Sequence, residues 1–415
     1  MLSHVIMGGT QIQNGHVVKG LAYMAIQIAL LLHLGEIFAS LQGLATLGTV
    51  MQQIKGFRVI AGDNSVTLLV WGMSTVLLLL TLAALYWSNV HDARTAEPTH
   101  KTVGQQLQGI YENNFPLIML TPAALIALGM IILPILITFA VSFTDYSAPN
   151  HIPPRNLINW VGLDSYTSLL RLDIWSGTFV SVAAWTVIWA ISATVLTFSF
   201  GFLLALALSK KQIRGKKIWR VIFILPHAIP VFVSLLAFRV LLGGVGPINT
   251  TLSNIGYGAI PFLTDPILAK ITCIVLAVWV GAPYFMMMIE GAMTNIPADI
   301  YEASEVDGAG KLRQFSEITL PMVMSQLAPS LVMTFAYNFN NFGSVYLLTE
   351  GGPVNPDYRF AGHTDLLITW IYKLTLDFQQ YNVAAVVSVV IFLFLSTMAI
   401  WQFRRMQSFK DEVGV

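Results

Sequence analysis

The chain has 415 residues, of which 55% are hydrophobic and only 10% charged, with a formal net charge of +1 and a mean hydropathy of +0.69. A soluble domain is about 45–50% apolar and about 25% charged, so this composition excludes an ordinary water-soluble fold and reads as an all-α polytopic membrane protein. Near-neutrality gives no footing for nucleic acid or another polyanion, and the single cysteine, Cys273, excludes an intrachain disulfide.

A helix needs about 20 mostly apolar residues to cross the hydrocarbon layer. In chain order, such runs fall near residues 21–41, 66–87, 116–142, 179–208, 221–242, 267–288, 322–348 and 383–403, about eight transmembrane helices. The first run is too long for the core of a cleavable signal peptide. It carries His33 and Glu36 at i and i+3, close enough to pair. The third and fourth runs are joined by the turn-rich "DYSAPNHIPPRNLINW". After the fourth comes "KKQIRGKKIWR", with Lys210, Lys211, Arg214, Lys216, Lys217 and Arg220. The tail adds Arg404, Arg405 and Lys410. Basic residues anchor the cytoplasmic ends of spans. With both termini inside, about 14 basic residues lie on the cytoplasmic side and about 6 outside. Arg239, Lys270 and Glu290 fall near span ends.

Between the sixth and seventh runs stands "IPADIYEASEVDGAGKLRQFSEITLP", a charged stretch in a chain with few charges. Pro297 suits a helix start, and Asp299, Glu302 and Glu305 load the end that the helix dipole favours for anions. Gly308 and Gly310 break the run, and a second short helix is expected to end at Leu320, with Pro321 marking the return to the membrane. Two readings fit: an amphipathic cytoplasmic loop, or a short polar knob that docks on a partner. "GAGK" is no phosphate loop, because Glu305 stands where the first glycine belongs and Leu312 where the hydroxyl belongs.

The seventh run is unusual for a lipid span. "TFAYNFNNF" puts Thr334, Tyr337, Asn338 and Asn341 at spacings of 0, 3, 4 and 7, one face of a helix. Such a face turns inward, either to bond a neighbouring helix or to line a water-filled path. Amides and a hydroxyl beside an aromatic ring suit a sugar better than an ion. No Ser–His–Asp, paired-carboxylate or metal-ligand pattern stands out, so no catalysis is expected of this chain.

The polar stretch resembles the cytoplasmic E-A-A-x-x-x-G-x₉-I-x-L-P signature of ABC importer permeases, matched at Glu302, Ala303, Gly308, Ile318, Leu320 and Pro321, with Ser304 in place of an alanine. From about Pro116 onward, "YEASEVDGAG", "ITLP", "FAYNFNNF", "LLTEGGP" and "AGHTDLL" look like the larger membrane subunit of the bacterial maltose/maltodextrin importer. The resemblance implies a type I ABC importer permease, with a core over residues 116–415, a coupling loop at 297–321, and two accessory helices within 1–115. It implies a bacterial cytoplasmic membrane location and an oligosaccharide cargo, most naturally maltose or maltodextrin. The implied partners are a second homologous permease subunit, two ATPase subunits and an extracytoplasmic sugar-binding protein. No cofactor is expected in this chain, since ATP and Mg belong to the ATPase. Carried over by residue, the resemblance gives sugar contacts at Val280, Gly281, Tyr284, Thr334, Tyr337, Asn338 and Asn341. It gives ATPase coupling to Glu302, Ala303, Ser304, Asp307, Gly308, Ile318, Leu320 and Pro321. Two departures are plain. Ala277 replaces a sugar-touching asparagine, and the connection from about 144 to 177 is too short for the folded insert of enteric versions. The competing reading is an ion-coupled sugar carrier acting alone, which would need a membrane-embedded carboxylate that the central runs lack; a non-transporting scaffold or sensor gives no reason for the polar face.

Overall fold

The computed structural model describes residues 5–55, 58–60, 62–95, 97–152, 156–210 and 212–404. Lys211, Arg405 and Lys410 of the basic clusters, and residues 153–155 of the turn-rich connection, lie outside that set. In chain order the helices are α1 (Gly9–Gln13), α2 (Val17–Leu32), α3 (Leu34–Thr46), α4 (Ser65–Thr95), α5 (Val103–Ala127), α6 (Leu133–Ser142), α7 (Asp164–Arg171), α8 (Asp173–Ser209), α9 (Lys216–Ala228), α10 (Val231–Leu241), α11 (Pro247–Asn254), α12 (Pro266–Thr294), α13 (Ala298–Val306), α14 (Lys311–Gln314), α15 (Leu320–Phe339), α16 (Phe342–Thr349), α17 (Leu367–Tyr372) and α18 (Tyr381–Phe403). One antiparallel hairpin pairs β1 (Gln53–Lys55) with β2 (Arg58–Ile60). Among the described residues six helices, counting α5–α6 and α14–α15 as continuous, are long and apolar enough to cross a membrane. Two bent pairs pass the same test together, α2 with α3 at 58° and α9 with α10 at 87°, each a broken span or a re-entrant loop. The expected all-helical architecture is present, with six to eight candidate spans among the described residues.

The chain divides into two compact units, Met1–Tyr166 with Gln379–Val389, and Thr167–Phe378 with Val390–Val415. In the first, α3 packs along α4 around Leu47, Leu69, Ala140 and Ile158. Buried amides pin the N-terminal segment to the end of α4: Gly8 N donates to Asn89 Oδ1 at 2.9 Å, and Gln11 Nε2 donates to Asn89 O at 2.9 Å. His33 caps the break between α2 and α3, and its Nδ1 lies 3.0 Å from Glu36 Oε2, the pair expected from their spacing.

In the second unit α8 and α12 form the central pair, and α15 packs on both. Their shared core is Phe202, Ala205 and Leu208 against Phe285, Met286, Ile289 and Ala292, with Val323 and Leu327 from α15. α12 begins where Asp265 Oδ1 accepts from Ile267 N and Leu268 N at 2.9 and 2.8 Å, which satisfies two of its free N–H groups. α9 ends because Ile229 precedes Pro230 and takes an extended conformation, φ −84° and ψ 135°.

The seventh run departs from the single span expected over 322–348. α14 leads through a π-helical turn, Phe315–Thr319, straight into α15, so no second short helix stops at Leu320 and Pro321 sits within the first turn of α15. At the other end α15 stops at Phe339, and Asn341, extended at φ −84° and ψ 94°, caps the separate helix α16.

Between α16 and α17 the loop folds on a buried carboxylate. Asp365 accepts from Lys373 Nζ at 2.6 Å, Gly362 N at 2.6 Å and Thr369 Oγ1 at 2.8 Å. Burial raises its carboxyl above the usual carboxylate range, and Lys373 pulls most strongly in the other direction. Asp365 is fully buried and Lys373 is 16% exposed. Lys373→Met strands the buried carboxylate, and it is expected to destabilise this unit by about 3 kcal/mol, the low end for a broken buried pair because Lys373 keeps some water. Thermal unfolding of the purified protein checks this, and an unchanged midpoint would contradict it.

Candidate functional site: a polar-walled cavity and a polar loop

α8, α9, α10, α12, α15 and α16 line a cavity of about 400 Å³ within the second unit. All seven residues singled out in the sequence lie on its wall: Val280, Gly281 and Tyr284 from α12, Thr334, Tyr337 and Asn338 from α15, and Asn341 at the start of α16. Asn341 reaches the cavity differently from the helical face read in the sequence. The chain has left α15 before it, and Asn341 Oδ1 accepts from Ser344 N at 3.0 Å as an N-cap. A spacing of seven counts for a face only while the helix continues.

These side chains divide by what already holds them. Asn338 is buried, donates through Nδ2 to Thr194 Oγ1 at 3.0 Å, and accepts at its backbone oxygen from Trp189 Nε1 at 3.0 Å. It therefore ties α15 to α8 as well as lining the cavity. Thr334 Oγ1 donates to the Ser330 carbonyl one turn back at 2.8 Å. Gly281 is a packing position, because a Cβ there would stand 2.7 Å from Thr197 Cγ2 of α8. Tyr337 is 67% exposed and Tyr284 39% exposed, so these two rings offer the open aromatic surface. Ala277 also lines the wall with a methyl group. Tyr284 faces His227, ring centroids 6.0 Å apart.

His227 lines the cavity but the sequence reading passed over it, along with Thr197, Ser330 and Ser344. The signal was present in "LPHAIP": a polar ring between Pro226 and Pro230 marks a helix about to break, where side chains and backbone can both turn inward. The wall can hydrogen-bond through amides, hydroxyls and an imidazole, and stack through two tyrosines. Among the described residues no group of three His, Cys, Asp or Glu could hold a metal ion.

The polar stretch forms a knob. α13 and α14 meet at a turn in which Gly308 has φ +79°, a region that L side chains enter only at a cost. No atom lies within 4 Å of a Cβ built there, so only the backbone conformation demands glycine. Ser304 is what closes the knob: it donates to Tyr301 O at 2.7 Å and accepts from Gln314 Nε2 at 2.9 Å. Tyr301 Oη and Thr319 Oγ1 add a second link at 2.9 Å. Glu302, Ala303, Asp307 and Gly308 are exposed on the outer side, as is Pro321, whereas Ile318 and Leu320 pack inward on the α8–α12–α15 core. Val306 and Leu312 stand 88% and 82% exposed among the charges.

Comparison with known proteins fits this arrangement. The family described as binding-protein-dependent transport system inner membrane component matches residues 197–408. The galactooligosaccharides transport system permease protein GanP of Bacillus subtilis is 35% identical over 421 residues, covering 99% of this chain and 98% of that protein. The maltodextrin transport system permease protein MalC of Streptococcus pneumoniae serotype 4 is also 35% identical, over 99% of this chain and 96% of its own length. Among solved structures, a chain of a bacterial ABC transporter involved in alginate import superposes with a TM-score of 0.55 at 23% identity, covering 73% of this chain and 99% of that one, a likeness of fold. The chain therefore belongs to the inner-membrane components of binding-protein-dependent transport systems, as a multi-pass permease subunit without catalytic chemistry of its own.

Proposed function

We propose that this subunit carries a neutral oligosaccharide through the cavity described above, and that α-linked maltodextrins are its cargo. The observation that carries the reading is the wall itself, with amide and hydroxyl groups beside the open rings of Tyr284 and Tyr337. Sugars present hydroxyls to bond and C–H faces to stack, and about 400 Å³ lies at the small end of ligand pockets, which suits a short oligosaccharide or one end of a longer one. Val280, Gly281, Tyr284, Thr334, Tyr337, Asn338 and Asn341 are the proposed contacts. Maltodextrin permeases of Streptococcus pneumoniae and Bacillus subtilis at 35% and 34% identity support the cargo. GanP at 35% supports galacto-oligosaccharides as the second reading, and the missing amide at Ala277 leaves room for either.

Residues 116–415 form the proposed translocating core, with 1–115 accessory and both termini in the cytoplasm. The chain would pair with a second permease subunit, two ATPase subunits that bind ATP and Mg, and an external sugar-binding protein. The loop at 297–321 would seat against an ATPase. Glu302, Ala303, Asp307 and Gly308 would form the contact, Ser304 would hold its shape, and Ile318, Leu320 and Pro321 would join it to α15. Membership in a binding-protein-dependent family stands against the ion-coupled carrier.

Uptake of maltotriose and of galactosyl-lactose by the reconstituted complex separates the two cargoes. Maltotriose uptake driven by ATP is expected, and galactosyl-lactose alone being taken up would overturn the first reading. Tyr337→Ala removes an open ring that bonds no neighbouring helix among the described residues, so uptake is expected to fall about tenfold, equivalent to ~1.4 kcal/mol of sugar contact, with an unchanged unfolding midpoint. Equal uptake would take Tyr337 out of the site. Gly308→Val strains the turn without touching the cavity. The complex is expected to assemble and bind sugar, while the ATP hydrolysed per sugar moved rises at least about fivefold, the lower range of measured couplings. A normal ratio in that variant would count against the loop's coupling role.

A further inference from the structure

One wall of the cavity is a bent helix pair, and each half is tied to a different neighbour by an ion pair. Arg220 of α9 places Nε 3.1 Å from Glu290 Oε2 of α12, near the end that leads to the polar loop. Arg239 of α10 places Nη1 2.7 Å from Glu350 Oε1, just beyond α16 and one turn past the cavity-lining Leu235. Between the two pairs the chain bends by 87°.

The face of α10 tells where Arg239 stands. Val231 and Leu235 line the cavity, and Arg239 follows at the same four-residue spacing, on the same face and one turn beyond. Across from them, Asn341 and Ser344 line the cavity from the start of α16, and Glu350 stands at that helix's far end. Glu350 holds a left-handed conformation, φ 52° and ψ 30°, unusual for a residue with a side chain and kept only where the surroundings enforce it. Here Glu350 N donates to Tyr346 O at 2.9 Å and Gly352 N donates to Thr349 O at 2.8 Å. Thr364 Oγ1 adds a bond to Gly352 O at 2.6 Å from beside the buried Asp365. The strained backbone aims an exposed carboxylate at Arg239. Both partners are well exposed, 40% and 56%, and such a pair contributes little to holding a fold together. Its place one turn beyond the cavity-lining Leu235 is better explained by access than by stability.

We propose that Arg239 and Glu350 are a latch across the end of the cavity away from the polar loop. Formed, it holds α10 against α16 and closes that mouth. Broken, it lets α10 swing about the Ile229–Pro230 break while Arg220–Glu290 keeps α9 in place on α12. A pair this exposed suits the task, because a contact broken in every cycle has to be weak. The inference rests on the transport reading for its place on the cargo's path, and its test is independent of any sugar.

The assembled complex, with Cys273→Ala and a reporter Ser344→Cys on the cavity wall, is labelled with a bulky maleimide. Arg239→Glu and Glu350→Arg each set like charges face to face, and each is expected to raise the labelling rate about three- to fivefold. The double swap is expected to return it to the parent rate. Unchanged labelling in both single variants, or a double swap as fast as the singles, would overturn the latch. Arg239→Gln, which removes the attraction without adding repulsion, covers a reversal variant that fails to assemble. It is expected to label about twofold faster, and an unchanged rate there also counts against the latch. If the latch behaves as expected while the complex moves neither sugar tested, the oligosaccharide reading fails and the latch stands.

Discussion

Lipid offers no hydrogen bonds, and the helix break between α15 and α16 answers to that constraint. When α15 stops at Phe339 and the chain turns through Asn340, the freed backbone groups must find partners inside the protein. Asn341 caps the first N–H groups of α16. Trp189 reaches from α8 to the Asn338 carbonyl, and Asn338 answers through its side chain to Thr194. The amides that give the cavity its polar wall are therefore also the groups that make the break tolerable. An apolar replacement at these positions would remove both at once.

The cavity and the polar loop are joined by two helical elements. α12 runs from the cavity wall to the start of the loop, and α14 and α15 return from the loop to the same wall. Their facing sides share the Phe202, Phe285, Met286 and Val323 core, packed where interiors transmit displacement rather than absorb it. The loop itself is stiffened from within by Ser304, Gln314, Tyr301 and Thr319. A push on this knob would reach two helices that both line the cavity.

Much of this was readable from residue types. Apolar runs located the six long helices and the two bent pairs, because length and hydropathy decide whether a segment can cross. The polar residues at 334, 337, 338 and 341 marked the wall because amides at membrane depth have few other uses. What the sequence withheld was continuity. The run 322–348 reads as one apolar stretch, yet it breaks at Asn340. The cause is Asn341 competing for backbone N–H groups as a cap, which no hydropathy average registers. Pro321 reads as a boundary, yet it falls in the first turn of a helix, where proline is tolerated. His227 left little mark, because one polar ring between Pro226 and Pro230 hardly changes the apolar character of the run 221–242. The Arg239–Glu350 contact joins residues more than a hundred positions apart and had no local trace at all.

The π-helical turn at Phe315–Thr319 gives the spacing between the polar loop and Pro321 a meaning of its own. A helix turns about 100° per residue, so a chain that is rigid from Lys311 to Phe339 fixes the azimuth of Tyr337 relative to Gly308 as firmly as it fixes their separation. A wide turn absorbs one extra residue without breaking the helix, and here it sits between the turn that presents the knob and the helix that presents the wall. Residue count in this segment is thus an angular setting. One residue gained or lost above the wide turn would rotate the polar face away from the cavity and bring phenylalanines into its place, with every individual side chain still present.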